Sequence, residues 1–89
     1  ADTTGAECTA RLPDGSCMMM GEERPFAKGT SMTLKLPVRA EITWIADGRR
    51  RLWATADSLT AEPIEPGVYR FEARLDRRPW LFTNPFYLR

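Results

Sequence analysis

The sequence predicts an all-β protein in which two antiparallel sheets pack face to face. Three observations predict this fold class: apolar and polar residues alternate along several segments, turn-forming residues separate these segments, and no long window spaces its apolar residues as a helix does. The 89 residues suffice for one small domain. A barrel built from the same strands is the alternative arrangement.

The composition argues against several functional classes. The chain has no His, which is the usual general base and the commonest metal ligand, and it has only two Cys. Its formal net charge of +1 is far from the strong basic excess of nucleic-acid-binding domains. No apolar run approaches the roughly 20 residues that span a bilayer. We therefore expect no enzyme activity, no cofactor, no bound metal, no nucleic-acid partner and no membrane association.

Residues 1–21 are expected to form a first hairpin or a partly ordered arm, and residues 22–89 the β-sandwich itself. Asp14-Gly15 would be the central dipeptide of that hairpin. Its register would separate Cys8 and Cys17 by four residues along the ladder, which is too far for a disulfide. We therefore expect two free thiols. An irregular N-terminal segment that brings the two Cys together is the alternative.

The next segment, residues 32–54, predicts one strand followed by a β-hairpin. Apolar and polar residues alternate from Met32 to Leu36, and Pro37 is expected to end that strand. A second strand covers residues 40–46. It leads into Asp47-Gly48, a dipeptide that tolerates positive φ at both central positions of a type I′ turn. Residues 49–54 should then return antiparallel to it.

The two-residue turn also predicts the register of this hairpin. Trp44 would lie opposite Arg51, and Ile42 opposite Trp53, so that one guanidinium lies beside an indole. The run of three Arg at 49–51 could serve as a phosphate or single-stranded nucleic-acid surface. Strand alternation directs these side chains to different faces, so we interpret the run as a solvated hairpin tip.

The C-terminal half contains the clearest strand. A short stretch at residues 59–61 is followed by Pro66-Gly67, which is a turn pair. Four residues then alternate with charged ones and are expected to face the core: Tyr69, Phe71, Ala73 and Leu75. The last strand, at residues 80–88, contains Asn84-Pro85, which removes a backbone donor and predicts a bulge.

The position of Tyr69 favours an immunoglobulin-like fold among the possible β-sandwiches. Such sandwiches often carry a tyrosine at the start of the sixth strand, whose hydroxyl bonds to backbone upstream, here expected at residues 59–65. Phe71 would then occupy the position of a cysteine in antibody domains, and Trp44 that of the central tryptophan of the third strand. The alternative is that all three are simply large core residues. The predicted fold is an immunoglobulin-like β-sandwich of about seven short antiparallel strands.

The C-terminal third carries a sequence resemblance. The segments PGVYRFEA at 66–73 and RPWLFTNPFY at 78–87 resemble the ending of bacterial PHP-type (polymerase and histidinol phosphatase) metallophosphoesterases, in which a small immunoglobulin-like domain follows the catalytic domain. The expected roles of the matched and core residues are structural, and these residues are Trp44, Gly67, Tyr69, Phe71, Trp80, Asn84 and Pro85.

The resemblance implies a non-catalytic accessory module of a larger PHP-like metal-dependent hydrolase. None of the family's metal-binding His or Asp motifs is present in this chain, so the hydrolase chemistry is not carried onto any of its residues. We expect an excised C-terminal domain of a bacterial protein, cytoplasmic in preference to exported. It would be a monomer or weak dimer that docks on the catalytic domain of the same or another chain. The candidate docking surface is formed by Met18, Met19, Met20, Phe86 and Leu88.

The alternative function is an autonomous ligand-binding module, for instance a carbohydrate-binding sandwich that uses Trp44, Trp53 or Trp80 as a stacking platform. The exposure of the tryptophans separates the two functions. Sugar binding needs at least one exposed indole in a row of polar groups, whereas an accessory module needs the indoles in the core. Two carboxylate pairs, at residues 22–23 and at Glu62 with Glu65, are interpreted as exposed loop groups.

Overall fold

The computed structural model describes residues 5–89, which form eight β-strands and no helix. The strands are β1 (Glu7–Arg11), β2 (Cys17–Met19), β3 (Glu23–Arg24), β4 (Ser31–Ala46), β5 (Arg49–Ala61), β6 (Gly67–Leu75), β7 (Arg78–Phe82) and β8 (Phe86–Leu88). They are hydrogen-bonded into one sheet that is nearly closed and barrel-like. The all-β class is confirmed. Within the same residues, no helix has the length and apolarity needed to cross a membrane.

The sheet is organised around the two longest strands, β4 and β5. The strand order is β2-β1-β4-β6-β8-β3, with β5 paired to β4 and β7 paired to β6. The first part of β4 pairs with β1 and the last part pairs with β6, while β5 accompanies both parts. The sheet thereby encloses one apolar core, whose largest fully buried side chains are those of Met18, Met32, Leu34, Ile42, Phe71 and Phe86.

Pro37 does not end a strand, contrary to the prediction. It lies inside β4, which advances from Lys35 to Ala40 while β5 advances only from Ser58 to Ala56. The missing N–H of an exposed proline breaks no ladder bond there, because the pairing with β5 is already interrupted. The irregularity allows β4 to change direction and to serve both parts of the sheet.

The Asp47-Gly48 turn has positive φ at both residues, 50° and 80°, as predicted. The first two pairs after the turn, Ala46 with Arg49 and Ile45 with Arg50, also agree with the predicted register. One step later Arg51 is an additional residue in β5, so Trp44 lies opposite Leu52 and not opposite Arg51. The predicted pairing of Trp44 with Arg51 is therefore wrong, and so is that of Ile42 with Trp53, since Ile42 lies opposite Ala54. The separate short strand expected further along the chain is the end of β5.

The hairpin expected in residues 1–21 is present as β1 and β2, and β1 also pairs with β4. Residues 1–4 lie outside the described part of the chain. The register is shifted by one residue from the expected one, because the turn at Gly15, which has a φ of 89°, is longer than a two-residue turn. Both thiols are free: Cys8 is buried and Cys17 is exposed.

β7 and β8 lie end to end along β6. Glu72 pairs with Phe82 and Tyr69 pairs with Phe86, so the outer segment has one residue more than β6 between these two points. The additional residue falls in the stretch that contains Asn84-Pro85, where a bulge was predicted. On β6 the predicted alternation is confirmed, with Tyr69, Phe71 and Ala73 buried and Leu75 partly buried against the core.

Tyr69 makes the corner that the sequence predicted. Its side chain is 2% exposed, its ring stacks on Trp44 with centroids 5.1 Å apart, and its hydroxyl donates a hydrogen bond to the Glu65 carbonyl. Burial and the nearby Glu65 and Asp47 carboxylates raise the pKa of Tyr69. Gly67 begins β6, and a Cβ there would lie only 2.8 Å from a carboxylate oxygen of Asp47.

Candidate functional site

A groove of about 360 Å³ lies on the outer face of β5, β4 and β6. Its walls are mostly polar or charged, with one indole among them. The lining residues are Glu41, Ile42, Thr43, Arg50, Trp53, Ala54, Thr55, Glu72 and Arg74. The volume falls in the range of small-molecule sites.

Strand register places the groove residues in rows that cross the sheet. Trp53 of β5 pairs with Thr43 of β4, which pairs in turn with Glu72 of β6. Residues directly opposite each other project on the same face, so these three side chains form one row. The adjacent row, two residues along, consists of Thr55, Glu41 and Arg74.

Trp53 is the aromatic side chain that lines the groove, and it is 60% exposed. The guanidinium carbon of Arg50 lies 4.9 Å from the centroid of the indole, a distance at which a cation is attracted to the ring. Arg50 and Trp53 are three residues apart and would point to opposite faces of a regular strand. The additional residue Arg51 resets the alternation and brings both side chains to the groove face.

The charges around the groove balance. Glu41 and Glu72 contribute two carboxylates, and Arg50 and Arg74 contribute two guanidinium groups. Arg70 also donates to Glu72 with an N–O distance of 2.7 Å, and both side chains are about one-third exposed, so solvent screens this pair. The groove therefore offers fixed donors, fixed acceptors and threonine hydroxyls that can be either, without a net charge at its centre.

The described residues contain no activated nucleophile at this face and no group of three or more His, Cys, Asp or Glu that could hold a metal. Cys8 lies on the other side of the sheet, where burial raises the pKa of its thiol to about 12, an effect that a hydrogen bond with Thr83 partly offsets. A thiol with such a pKa stays protonated near neutral pH and is a poor nucleophile. The arrangement at the groove suits binding.

A second depression, of about 330 Å³, lies at one end of the sheet beside the Trp44–Tyr69 stack. The predicted carboxylate pair Glu62 and Glu65 is found there, exposed, together with Arg51. The Trp44 indole nitrogen is buried and has no hydrogen-bond partner among the described residues. Because protein atoms enclose that nitrogen, it offers no donor at the surface of the depression.

The predicted docking surface is only partly at the surface. Met19 and Met20 are 54% and 37% exposed. Met18, Phe86 and Leu88 are almost fully buried, so they cannot dock a partner and that part of the prediction is wrong. The reason is the alternation of each short strand: these three side chains occupy the inward positions of β2 and β8.

The structure places an aromatic residue, which the sequence did not single out for docking, beside the exposed Met20. Phe82, at the end of β7, is 60% exposed. It borders a depression of about 190 Å³ together with Met20, Cys8, Leu34 and other residues. Its outward orientation follows from pairing opposite Glu72, whose side chain lies on the outer face.

The residues chosen for structural roles lie in or around the core. Trp44 and Phe71 are buried, Trp80 is half-buried and packs against the core, Asn84 is exposed, and the Pro85 carbonyl accepts a hydrogen bond from the N–H of Gly21. The segments with the sequence resemblance thus belong to the framework of the sheet, apart from Glu72 in the groove and Phe82. Comparison of the chain with protein-family models, with curated proteins and with solved structures finds no match.

Proposed function

We propose that this chain is a non-catalytic binding module that takes a neutral oligosaccharide in the groove centred on Trp53. The observation that carries the proposal is the 60% exposed indole, which stands in a row of polar side chains across β5, β4 and β6. An exposed indole in a row of polar groups is the feature that the sequence analysis required of a sugar-binding module. Trp44, by contrast, is a core residue.

The chemistry of a sugar matches the two kinds of surface in the groove. A pyranose ring has an apolar face of C–H groups and a rim of hydroxyls. An exposed indole offers a flat apolar contact to the C–H face, and the surrounding side chains can form hydrogen bonds with the hydroxyls. Glu41 and Glu72 accept from hydroxyl groups, Arg74 donates to them, and the two threonines can do either.

The charge balance favours a neutral ligand over an anionic one. A phosphate or a uronate would gain from Arg50 and Arg74 but would be repelled by Glu41 and Glu72 in the same groove. The contact with Arg50 also fixes the orientation of the Trp53 ring, so less side-chain freedom is lost when a ligand binds.

Titration of the chain with a set of neutral hexasaccharides, including cellohexaose, xylohexaose and chitohexaose, tests the proposal. Binding is followed by tryptophan fluorescence and by calorimetry. We expect at least one sugar to bind, and Trp53→Ala to weaken its binding by about tenfold or more, which corresponds to about 1.4 kcal/mol. Trp53→Phe keeps an aromatic surface and should bind with intermediate affinity.

Leu52→Ala is the matched control for this titration. Leu52 precedes Trp53 in the same strand and is 39% exposed, but it is not part of the groove. This variant should bind the sugar as the unmodified chain does. Absence of binding to every hexasaccharide up to its solubility limit would contradict the proposal, as would equal affinity in the Trp53→Ala variant.

We propose as a second, competing function that the chain is an immunoglobulin-like accessory domain of a PHP-like metal-dependent hydrolase, although the exposed Trp53 favours sugar binding. The hydroxyl of Tyr69 on the Glu65 carbonyl supports the first part, since this corner is a feature of immunoglobulin-like sandwiches. The exposed apolar side chains of Met19, Met20 and Phe82, of which Met20 and Phe82 border one depression, support docking on the catalytic domain of the same or another chain, because exposed apolar groups favour association.

The full open reading frame tests the accessory role directly. We expect it to encode a metal-binding hydrolase domain ahead of this chain. Expressed whole, the protein should protect the surface of Met19, Met20 and Phe82 from hydrogen exchange relative to the isolated chain. A frame without a hydrolase domain, or equal protection in both forms, would contradict the accessory role and leave the sugar-binding proposal intact.

A further inference from the structure

A second aromatic ring, that of Phe82, lies on the outer face of the sheet one strand beyond the groove. It is 60% exposed, as Trp53 is. The residues on either side of it, Leu81 and Thr83, are partly buried and buried, so the alternation along the chain directs Phe82 outward. Two equally exposed aromatic side chains therefore project from the same face.

One row of directly paired residues connects the two rings. Glu72 of β6 pairs with Thr43 of β4 on one side and with Phe82 of β7 on the other. Thr43 pairs in turn with Trp53 of β5. Residues directly opposite each other project on the same face, so the row consists, in order across the sheet, of Trp53, Thr43, Glu72 and Phe82.

The strand pairing is regular at both ends of this row. On β5 the residues before and after Trp53 pair with β4 without interruption. On β7 the residue before Phe82 pairs with Ala73, and the N–H of Thr83 donates to the Phe71 carbonyl. The additional residues of β5 and β7 lie outside these stretches, so neither irregularity turns a ring away from the outer face.

The two rings are too far apart for one sugar unit to contact both. Four neighbouring strands span three interstrand spacings, which amount to about 14 Å. Between the rings lie two half-buried polar side chains, those of Thr43 and Glu72, and Arg70 forms an ion pair with Glu72. The row is therefore a polar floor with an exposed aromatic ring at each end.

Polar side chains also border this row along the strands. On one side Arg50 and Arg70 both pair with Ile45 and project with it on the outer face. On the other side is the adjacent row of Thr55, Glu41 and Arg74. A ligand that lies along the row meets hydrogen-bonding groups over its whole length.

We propose that Phe82 is a second stacking platform for an oligosaccharide that lies across the strands and stacks on Trp53 at its other end. This inference rests on the sugar-binding function proposed above. It selects as ligand an extended chain of several pyranose units, because a disaccharide is too short to contact both rings. The two contacts strengthen each other, since the second is made by a ligand that is already held by the first.

Cellohexaose, xylohexaose and chitohexaose, each compared with its own disaccharide, are the probes, and calorimetry measures their binding. A hexasaccharide should bind the unmodified chain at least about tenfold more tightly than its disaccharide. Phe82→Ala should weaken hexasaccharide binding by about tenfold and thereby remove most of this difference. Phe82→Trp keeps an aromatic platform and should bind the hexasaccharide at least as tightly as the unmodified chain.

Tyr87→Ala is the matched control for Phe82→Ala. Tyr87 is 40% exposed and pairs with Val68, so it also lies on the outer face but outside the row between the two rings. This variant should bind the hexasaccharide as the unmodified chain does. A circular dichroism spectrum equal to that of the unmodified chain establishes that each variant is folded.

The outcomes separate this inference from the function on which it rests. Absence of binding to every hexasaccharide would contradict sugar binding itself, and the second platform with it. Binding that Trp53→Ala weakens but Phe82→Ala does not would overturn the second platform alone. Equal losses in Phe82→Ala and Tyr87→Ala would overturn it as well, because the row would then have no special part in binding.

Discussion

β5 and β6 both pair with β4, yet they differ in how much side-chain surface they bury. On β6 three consecutive inward side chains, those of Tyr69, Phe71 and Ala73, are at most 2% exposed. On β5 only Ala61, at the last position, is buried. β6 also has neighbours on both edges, whereas β5 has one among the described strands. The comparison indicates that β6 contributes buried surface that stabilises the sheet, whereas β5 presents most of its side chains to solvent.

The largest expected effect contrasts one aromatic residue on each strand. Phe71→Ala removes a fully buried ring from β6 and should lower the free energy of unfolding by about 3–5 kcal/mol. Trp53→Ala removes an exposed ring from β5 and should lower it by less than about 1 kcal/mol. Urea denaturation measures both. Similar losses in the two variants would remove the distinction between the strands.

The pH dependence of the free energy of unfolding tests whether Cys8, which lies next to β6, is buried. The Cys8 side chain bonds to Thr83, which bonds to the backbone of Phe71. In the folded chain the Cys8 thiol has a pKa of about 12, raised by burial from the usual 9.0. The unfolded chain therefore loses this proton first, and stability that is complete below about pH 9 declines as the pH rises towards 12.

The expected slope is up to about 1.4 kcal/mol per pH unit for this single group. Cys8→Ala should lower stability at neutral pH but should remove this part of the alkaline decline. Urea midpoints at several pH values between about 8 and 11 give the two slopes. Cys17 is exposed, and Cys17→Ala is the control that should keep the slope of the unmodified chain. Parallel curves for all three proteins would show that Cys8 is not buried as described.

The same isosteric substitution, Thr to Val, should affect stability differently at the buried Thr83 and at the exposed Thr55 of β5. The Thr83 hydroxyl accepts the N–H of Phe71 at 2.9 Å in a buried position. Thr83→Val leaves that N–H without a partner and should cost about 1–3 kcal/mol. Thr55→Val makes the same change on exposed β5 and should alter stability by no more than about 0.5 kcal/mol. Equal urea midpoints for the two variants would contradict the assignment of Thr83 to the interior.

β6 was predictable from the sequence as one strand, whereas the continuity and the register of β5 were not. Along β6 one side chain in two is apolar, because one face lies in the core, and the resulting period is visible in the sequence. Along β5 Leu52 and Trp53 are adjacent, and the strand buries no face that would impose a period. The Asp47-Gly48 turn indicated residues 49–54, and the stretch at residues 59–61 was expected to be a separate strand, so the sequence did not show that β5 is continuous.

Of the residues that line the groove, only Trp53 was predictable from the sequence; the way the others are brought together around it was not. Trp53 was a candidate platform from residue type alone. Its neighbours come from the register of three strands, and the bulge at Arg51 that brings Arg50 to the same face is set by the fit of β5 to β4. Similarly, Met18 and Phe86 are residue types that occur at docking surfaces, but both are buried because they lie on the inward side of short strands.

The smallest expected effect concerns the corner that was predicted from Tyr69. Tyr69→Phe keeps the ring on Trp44 and removes only the hydrogen bond to the Glu65 carbonyl. The expected loss is about 0.5–1.5 kcal/mol, the net contribution of one hydrogen bond. Tyr87→Phe, on a side chain that is 40% exposed, is the matched control and should change the urea midpoint little. Because the bond closes the connection that follows β5, its loss should also increase hydrogen exchange at residues 62–66 while leaving the amides of β6 protected. An unchanged midpoint together with unchanged exchange would mean that ring stacking alone holds the corner, and the immunoglobulin-like proposal would lose its main structural support.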